Sequence, residues 1–261
     1  MCSSLGSAPM MRSTEPHQAL LFFQIDSAVL ERHPELAVGG FLVENLDVAA
    51  AACGDSDELY REARSTLLAE GIDASDLTSE PRIVAWRSAI AACGLRPSRY
   101  RSSAEQLARR LLKDGLIRAP LPIVSLYCAL SAWFLAPLGT YDLDRLPSAD
   151  LVLRLGRPQT DSFSPLSGNP DDMPVSDRVA VYAARDRVLC WAFNVRDSRE
   201  TCLTADTRRA AFFGEAVAEC QHEALRGVLR ELSRRLTGLG ARAGEIRFFD
   251  RHIPQGRLCP T

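Results

Sequence analysis

Leu95-Arg96-Pro97-Ser98-Arg99-Tyr100-Arg101-Ser102-Ser103-Ala104-Glu105 is a basic turn that runs into a helix start, and the reading of the fold works outward from it. Ser102 stands three residues before Glu105, the spacing of a capping box, so a helix opens here. It runs to Lys113 and ends at Gly115. Upstream, Ile83, Trp86, Ile90 and Cys93 recur at helical spacing. Thr78 and Ser79 are the N-cap candidates of that helix, Pro81 suits its first turn, and Gly94 closes it. Downstream, Pro120 and Pro122 punctuate the chain, and the apolar run Ile123 to Phe134 predicts a buried helix.

Farther out, Leu36 to Leu46 reads as a strand region interrupted by Gly39-Gly40, and Ser56 to Glu70 as a helix stopped by Gly71. Pro137 to Asp144 reads as a turn. Short strands are expected at Leu151 to Leu155, Arg178 to Ala184 and Val188 to Phe193, with a polar loop, Gln159 to Met173, among them. Leu225, Val228, Leu229, Leu232 and Leu236 share one face of a helix spanning Glu219 to Leu236, and Ile246 to Phe249 reads as a last strand. Met1 to Pro16 has no periodicity and reads as a disordered tail. Helices and strands are mixed without an internal repeat, so the expected class is α/β of the mixed α+β kind.

The 261 residues suffice for one large or two small domains, and the 46% hydrophobic and 25% charged residues are ordinary globular values. Net charge is −2, which excludes the overall basic footprint of many nucleic-acid binders, so any RNA contact must come from local clustering. All basic residues but Lys113 are arginines, which reads as coding bias rather than as function. None of the 8 cysteines forms a C-x-x-C pair and only 4 histidines exist, so no metal site is expected. No export signal is visible, since the apolar run Leu20 to Ile25 is broken by Asp26. The longest apolar stretch, Leu126 to Leu138, is too short to span a bilayer. The thiols therefore read as buried and reduced, in a cytoplasmic protein.

Phosphate-loop, dinucleotide, nucleophile-elbow and zincin signatures are absent. Cys128 and Cys190 read as core residues rather than nucleophiles. Two segments are dense in pocket-forming groups: Gly139 to Asp144, and Asn194-Val195-Arg196-Asp197 followed by Thr201, Thr204 and Thr207. Asn and Thr can orient a water or a polar substrate, and Arg196 can pair with a carboxylate or phosphate. By spacing alone, Asn194 and Asp197 read as a turn between strands. Arg96, Arg99, Arg101, Arg109, Arg110 and Lys113 form the densest basic patch, with Tyr100 inside it as a stacking platform; it suits phosphate and base contacts as well as it suits a solvated helix face.

The order of motifs from Ile83 to Glu215 resembles the stand-alone relatives of the B3/B4 editing domain of the bacterial phenylalanyl-tRNA synthetase beta chain. Trp86-Arg87, Gly94, Pro97-Ser98-Arg99-Tyr100-Arg101-Ser102-Ser103 and Arg109-Arg110 carry the first half. Pro137-Leu138-Gly139-Thr140-Tyr141-Asp142-Leu143-Asp144, Phe163-Ser164-Pro165, Asn194-Val195-Arg196, the spaced threonines and Glu215 carry the second. The chain departs from that pattern with Ser125 and Cys128 where the family has Asp and Asn, with Thr140 for a His, and with Val195 for a Trp.

The resemblance implies a B3/B4-like domain over 19–261, with helical additions at both ends, after a tail at 1–18. It also implies hydrolysis of wrongly charged aminoacyl-tRNA in trans, without metal or other cofactor, and with neither DNA nor membrane as partner. Asn194, Thr204 and Asp142 are then the candidate catalytic residues. Tyr141, Arg196, Thr207 and Glu215, with Cys128 and Ser131 next in line, are the candidate substrate-binding residues, and Arg96, Arg99, Arg101, Arg109 and Arg110 the tRNA contacts. Asp142 is expected to hold the α-amino group, Thr204 or Asn194 to place the water, and Arg196 to bind the tRNA end or to pair with an acid such as Glu215. An aminoacyl transferase and a non-catalytic tRNA- or amino-acid-binding module are the alternatives.

Overall fold

The computed structural model describes residues 20–50, 53–117 and 119–260, without the side chains of 53–56. The expected tail at 1–18 lies outside the described residues. Two sheets stack face to face, and helices cover the outer face of one of them. The mixed α/β class is therefore the fold observed.

The first sheet has seven strands: β1 (Leu21–Ile25), β4 (Asp150–Leu155), β5 (Ser162–Phe163), β6 (Ala180–Ala184), β7 (Arg187–Trp191), β8 (Arg196–Asp197) and β12 (Gln255–Leu258). Their order is β12-β1-β4-β6-β7-β5, with β8 also pairing β7, and only the β1–β4 and β5–β7 pairs are parallel. The second sheet is antiparallel throughout: β10 (Arg242–Ala243), β2 (Ala37–Glu44), β9 (Ala210–Ala216) and β3 (Leu138–Asp142) in that order, with β11 (Arg247–Phe249) also pairing β2.

Alternation along the strands of the second sheet sorts the core. Val38, Leu42, Tyr141, Ala211, Phe213 and Phe249 face the first sheet, where Phe23 and Tyr182 meet them. Phe41, Val43, Leu138, Ala210 and Phe212 face the other way, against α2 (Cys53–Ala69), α5 (Pro122–Phe134) and α6 (His222–Gly238). Gly39 and Gly40 do not interrupt β2. A Cβ on Gly39 would meet Leu229 at 2.3 Å, and one on Gly40 would meet Phe213 at 2.7 Å. These glycines let Leu229 of α6 and the cross-strand Phe213 ring lie directly on a fully paired strand.

Several elements differ from the expectation. The cap of α3 (Pro81–Ala92) is neither Thr78 nor Ser79, which belong to the preceding single turn, but Glu80, whose carboxylate accepts from the Arg82 N–H. Pro137 to Asp144 is not a turn: β3 fills most of it, pairing as an edge strand with β9. Phe249 is not in the last strand, because β12 follows and pairs with β1, so the described ends of the chain lie side by side. Strand β9, buried along its whole length, was not anticipated. The helix α4 (Ser103–Asp114) opens and closes as expected: Ser102 Oγ accepts from the Glu105 N–H at 3.2 Å and Gly115 adopts a left-handed conformation. The Glu105 carboxylate, however, turns away to arginines. No helix among the described residues is long and apolar enough to cross a membrane.

Candidate functional site

Strand β9 carries Glu215 on the face that meets the first sheet, next in alternation to Phe213. The carboxyl is 6% exposed. Asn194, just after β7, donates from Nδ2 to Glu215 Oε2 at 2.7 Å, and its Oδ1 accepts from the Ser103 N–H at 3.1 Å. The Tyr182 hydroxyl of β6 faces the same carboxyl. Burial pushes the Glu215 pKa up to about 7, with Asp197 adding to the rise and the Asn194 and Tyr182 contacts opposing it. Thus Asn194 joins the buried acid to the first turn of α4. Arg196 does not pair with Glu215; its guanidinium donates to Ser167 Oγ at 2.8 Å.

Asp197 is the second acid. It lies in β8 opposite Cys190, whose thiol it contacts. Burial raises its pKa. Its charge also reaches Tyr127 and Cys128 of α5 and Tyr141 of β3. Asp197, Tyr127 and Cys128 are each partly buried, so this group lies where the β7–β8 turn approaches α5 and the β3 edge. Burial, then Asp197, pushes the Cys128 thiol up to about 12, with Arg110 opposing. Burial likewise keeps the Cys190 thiol protonated. Neither sulfur is a thiolate at neutral pH.

The threonine cluster builds a separate group. Thr207 Oγ1 donates to Asp142 Oδ2 at 2.6 Å and accepts from the Thr204 N–H at 2.9 Å, while Asp142 Oδ1 accepts from the Asp144 N–H at 2.9 Å. The Asp142 N–H donates to the Thr201 carbonyl at 2.9 Å. Both Asp142 oxygens are thus engaged in pinning the loop from 197 to 209 along the open edge of β3. The Thr140 and Thr201 hydroxyls are buried and make no hydrogen bond. Ser131 Oγ donates to the Ala136 carbonyl at 2.7 Å and finishes α5.

The arginines divide. Arg101 and Arg109 lie 3.4 and 3.6 Å from Glu105, a carboxylate with no exposed side-chain surface that also holds Arg87 at 2.9 Å. Arg99 pairs with Asp172 at 2.6 Å. Arg96 and Arg110 are exposed. Three guanidiniums around one buried carboxylate leave an excess of positive charge at the start of α4.

Sequence reasoning selected Asn194 and Glu215 separately but did not pair them. It placed Asp197 in a pocket-forming segment that by spacing reads as a turn, and did not single out Tyr182, Glu105 or Arg87 for the site, reading Cys190 as core. Tyr182 and Cys190 lay in expected strands, and strand alternation could have placed them on one face, but which face meets the second sheet depends on β9. Among the described residues, no three His, Cys, Asp or Glu side chains gather as a metal site.

Two stacked sheets with a buried, amide-held acid beside an edge strand define the class of site. The sequence pattern of the family described as "B3/4 domain" matches residues 85–235, more than half of the chain, and the chain belongs to that family. Among solved structures, it is similar to an N-terminal fragment of the phenylalanyl-tRNA synthetase beta-subunit from Pyrococcus horikoshii, at 12% identity and a TM-score of 0.44, over 92% of this chain and 53% of that one. The chain thus spans about half the length of that fragment. No curated protein matches it.

Proposed function

We propose that this chain hydrolyses aminoacyl esters at the 3′ end of tRNA, acting in trans. One observation carries the reading: a buried carboxyl, Glu215, held by the Asn194 amide at 2.7 Å, whose burial pushes its pKa up to about 7. A base whose pKa lies near the working pH transfers protons most effectively. Membership of the B3/4 family, and the motif order that resembles synthetase editing domains, support tRNA as the partner. A cytoplasmic setting accords with that partner and with the free thiols of Cys93, Cys128, Cys190, Cys202, Cys220 and Cys259.

In this reading, ionised Glu215 accepts a proton from the attacking water while Asn194 fixes the carboxylate. The water oxygen bonds to the ester carbonyl carbon, the carbon–oxygen bond to the ribose breaks, and the departing ribose oxygen takes the proton that Glu215 removed from the water, which returns Glu215 to its carboxylate. Asp197 faces the substrate's α-ammonium group, the role first expected of Asp142, whose oxygens are already engaged. With Cys128 and Cys190 protonated, water rather than sulfur is the nucleophile.

The test is to incubate the purified chain with a panel of correctly and wrongly charged tRNAs and to identify the product. Free amino acid supports the proposal. A new amide would make the chain a transferase, and an unchanged ester with retained tRNA binding would make it a binding module.

A further inference from the structure

We infer that a small cleft on the far face of the first sheet, between the turn at 95–101 and the loop at 166–173, is a seat for one phosphate group, with Arg196 as its central ligand. Neighbouring residues of a strand point to opposite faces. Asp197 opposes Cys190 on the face toward the second sheet, so Arg196, opposite Trp191, points the other way. There it meets Arg99, Arg101, Gln106, Asn169 and Asp172 around a cavity of about 150 Å³. That volume holds a few waters at about 30 Å³ each, and hence one tetrahedral anion, but it is below the roughly 300 Å³ at which drug-sized ligand pockets begin.

The charge and the hydrogen bonding both call for an anion. Three arginines and one aspartate line the cleft. Arg99 has Asp172, and Arg101 shares Glu105 with two other guanidiniums. Arg196 has no ion pair within 4.0 Å among the described residues, and its guanidinium donates there only to the neutral Ser167 Oγ. A guanidinium lining a cleft without an ionic partner is a ready charge-assisted donor to a phosphate oxygen. The walls are rigid: Tyr100 packs edge-on against Trp191 with ring centres 5.2 Å apart, its hydroxyl donates to the Asp172 carbonyl at 2.5 Å, and Trp191 Nε1 donates to the Pro174 carbonyl at 3.1 Å. The cleft shares Arg99 and Arg101 with the tRNA contacts expected above, but it lies across the sheet from Glu215 and does not require hydrolysis.

The experiment titrates the full chain by calorimetry with inorganic phosphate, adenosine 5′-monophosphate, adenosine and the trinucleotide CpCpA. The phosphate-bearing probes bind and adenosine does not. Arg196→Gln weakens phosphate binding about tenfold, the effect of losing a charge-assisted contact of about 1.4 kcal/mol. Asp172→Asn strengthens it severalfold by removing the one opposing charge in the cleft, and so tests the site even if the Arg196 variant folds poorly. Tighter binding of CpCpA than of the monophosphate identifies an RNA backbone as the source, and the reverse order identifies a phosphorylated small molecule; either supports the seat. Adenosine binding as well as its monophosphate, or phosphate affinity unchanged in both variants, overturns it. Glu215→Gln keeps phosphate affinity, so loss of hydrolysis and loss of this site are read separately.

Discussion

Replacing Glu215 by Gln keeps the size of the side chain and an acceptor for Asn194 Nδ2, but removes the ionisation. The carboxyl titrates at about 7 in the folded protein against an ordinary 4.5, so its raised pKa contributes stability that is complete below 4.5 and lost as pH rises to about 7. At about 1.4 kcal/mol per pH unit, the whole loss is roughly 3 kcal/mol. The group is 6% exposed, so solvent screening takes little from that figure. All other titrating groups are common to both proteins, so the difference in unfolding free energy isolates this one, apart from its coupling to Asp197. Urea unfolding from pH 4 to 8.5 should give Glu215→Gln a growing advantage, by roughly 3 kcal/mol between the acid end and pH 7, and a constant difference above it. A difference independent of pH would mean that Glu215 is ionised normally, and the account of the site would fall with it.

Changing Arg99 and Arg101 together to Ala should weaken tRNA binding and lower the slope of log affinity against log salt by about one to two, since each lost phosphate contact accounts for somewhat less than one. An unchanged slope would return these side chains to internal partners of Asp172 and Glu105. Asp142→Ala strands the Thr207 hydroxyl and the Asp144 N–H, and should cost roughly 2–3 kcal/mol in denaturant unfolding while activity per folded molecule stays the same. Loss of activity in a protein of full stability would restore Asp142 to the chemistry. Chelators should leave hydrolysis unchanged in a direct assay; inhibition reversed by zinc would show that a metal is required.

The helices were legible because their signals are local. Ser102 and Glu105, Pro122, Gly71 and Gly115 mark ends within one turn, and the leucines of α6 mark a face. Strands β4, β6 and β7 were legible as β-branched and apolar runs between turn residues. Strand β9 was not, because Ala210-Ala211-Phe212-Phe213-Gly214-Glu215-Ala216 is covered on both faces and so lacks alternation, while its alanines and acid are poor strand formers in isolation. The site was missed in the same way. Glu215 and Asn194 are 21 residues apart and meet only when β9 enters the second sheet opposite β6 and β7. Gly39 and Gly40 looked like a break because the Leu229 and Phe213 side chains that occupy the space of their missing Cβ atoms come from elements nearly two hundred residues later in the chain.

The central claim is tested most directly by the rate at which free amino acid is released from a wrongly charged tRNA under single-turnover conditions, measured against pH for the native chain and for Glu215→Gln. The account predicts a rate that rises about tenfold per pH unit up to about pH 7 and then levels, as a carboxylate base requires, and a loss of about two orders of magnitude in the variant. No release from any charged tRNA, or equal rates in the two proteins at pH 8, would contradict it.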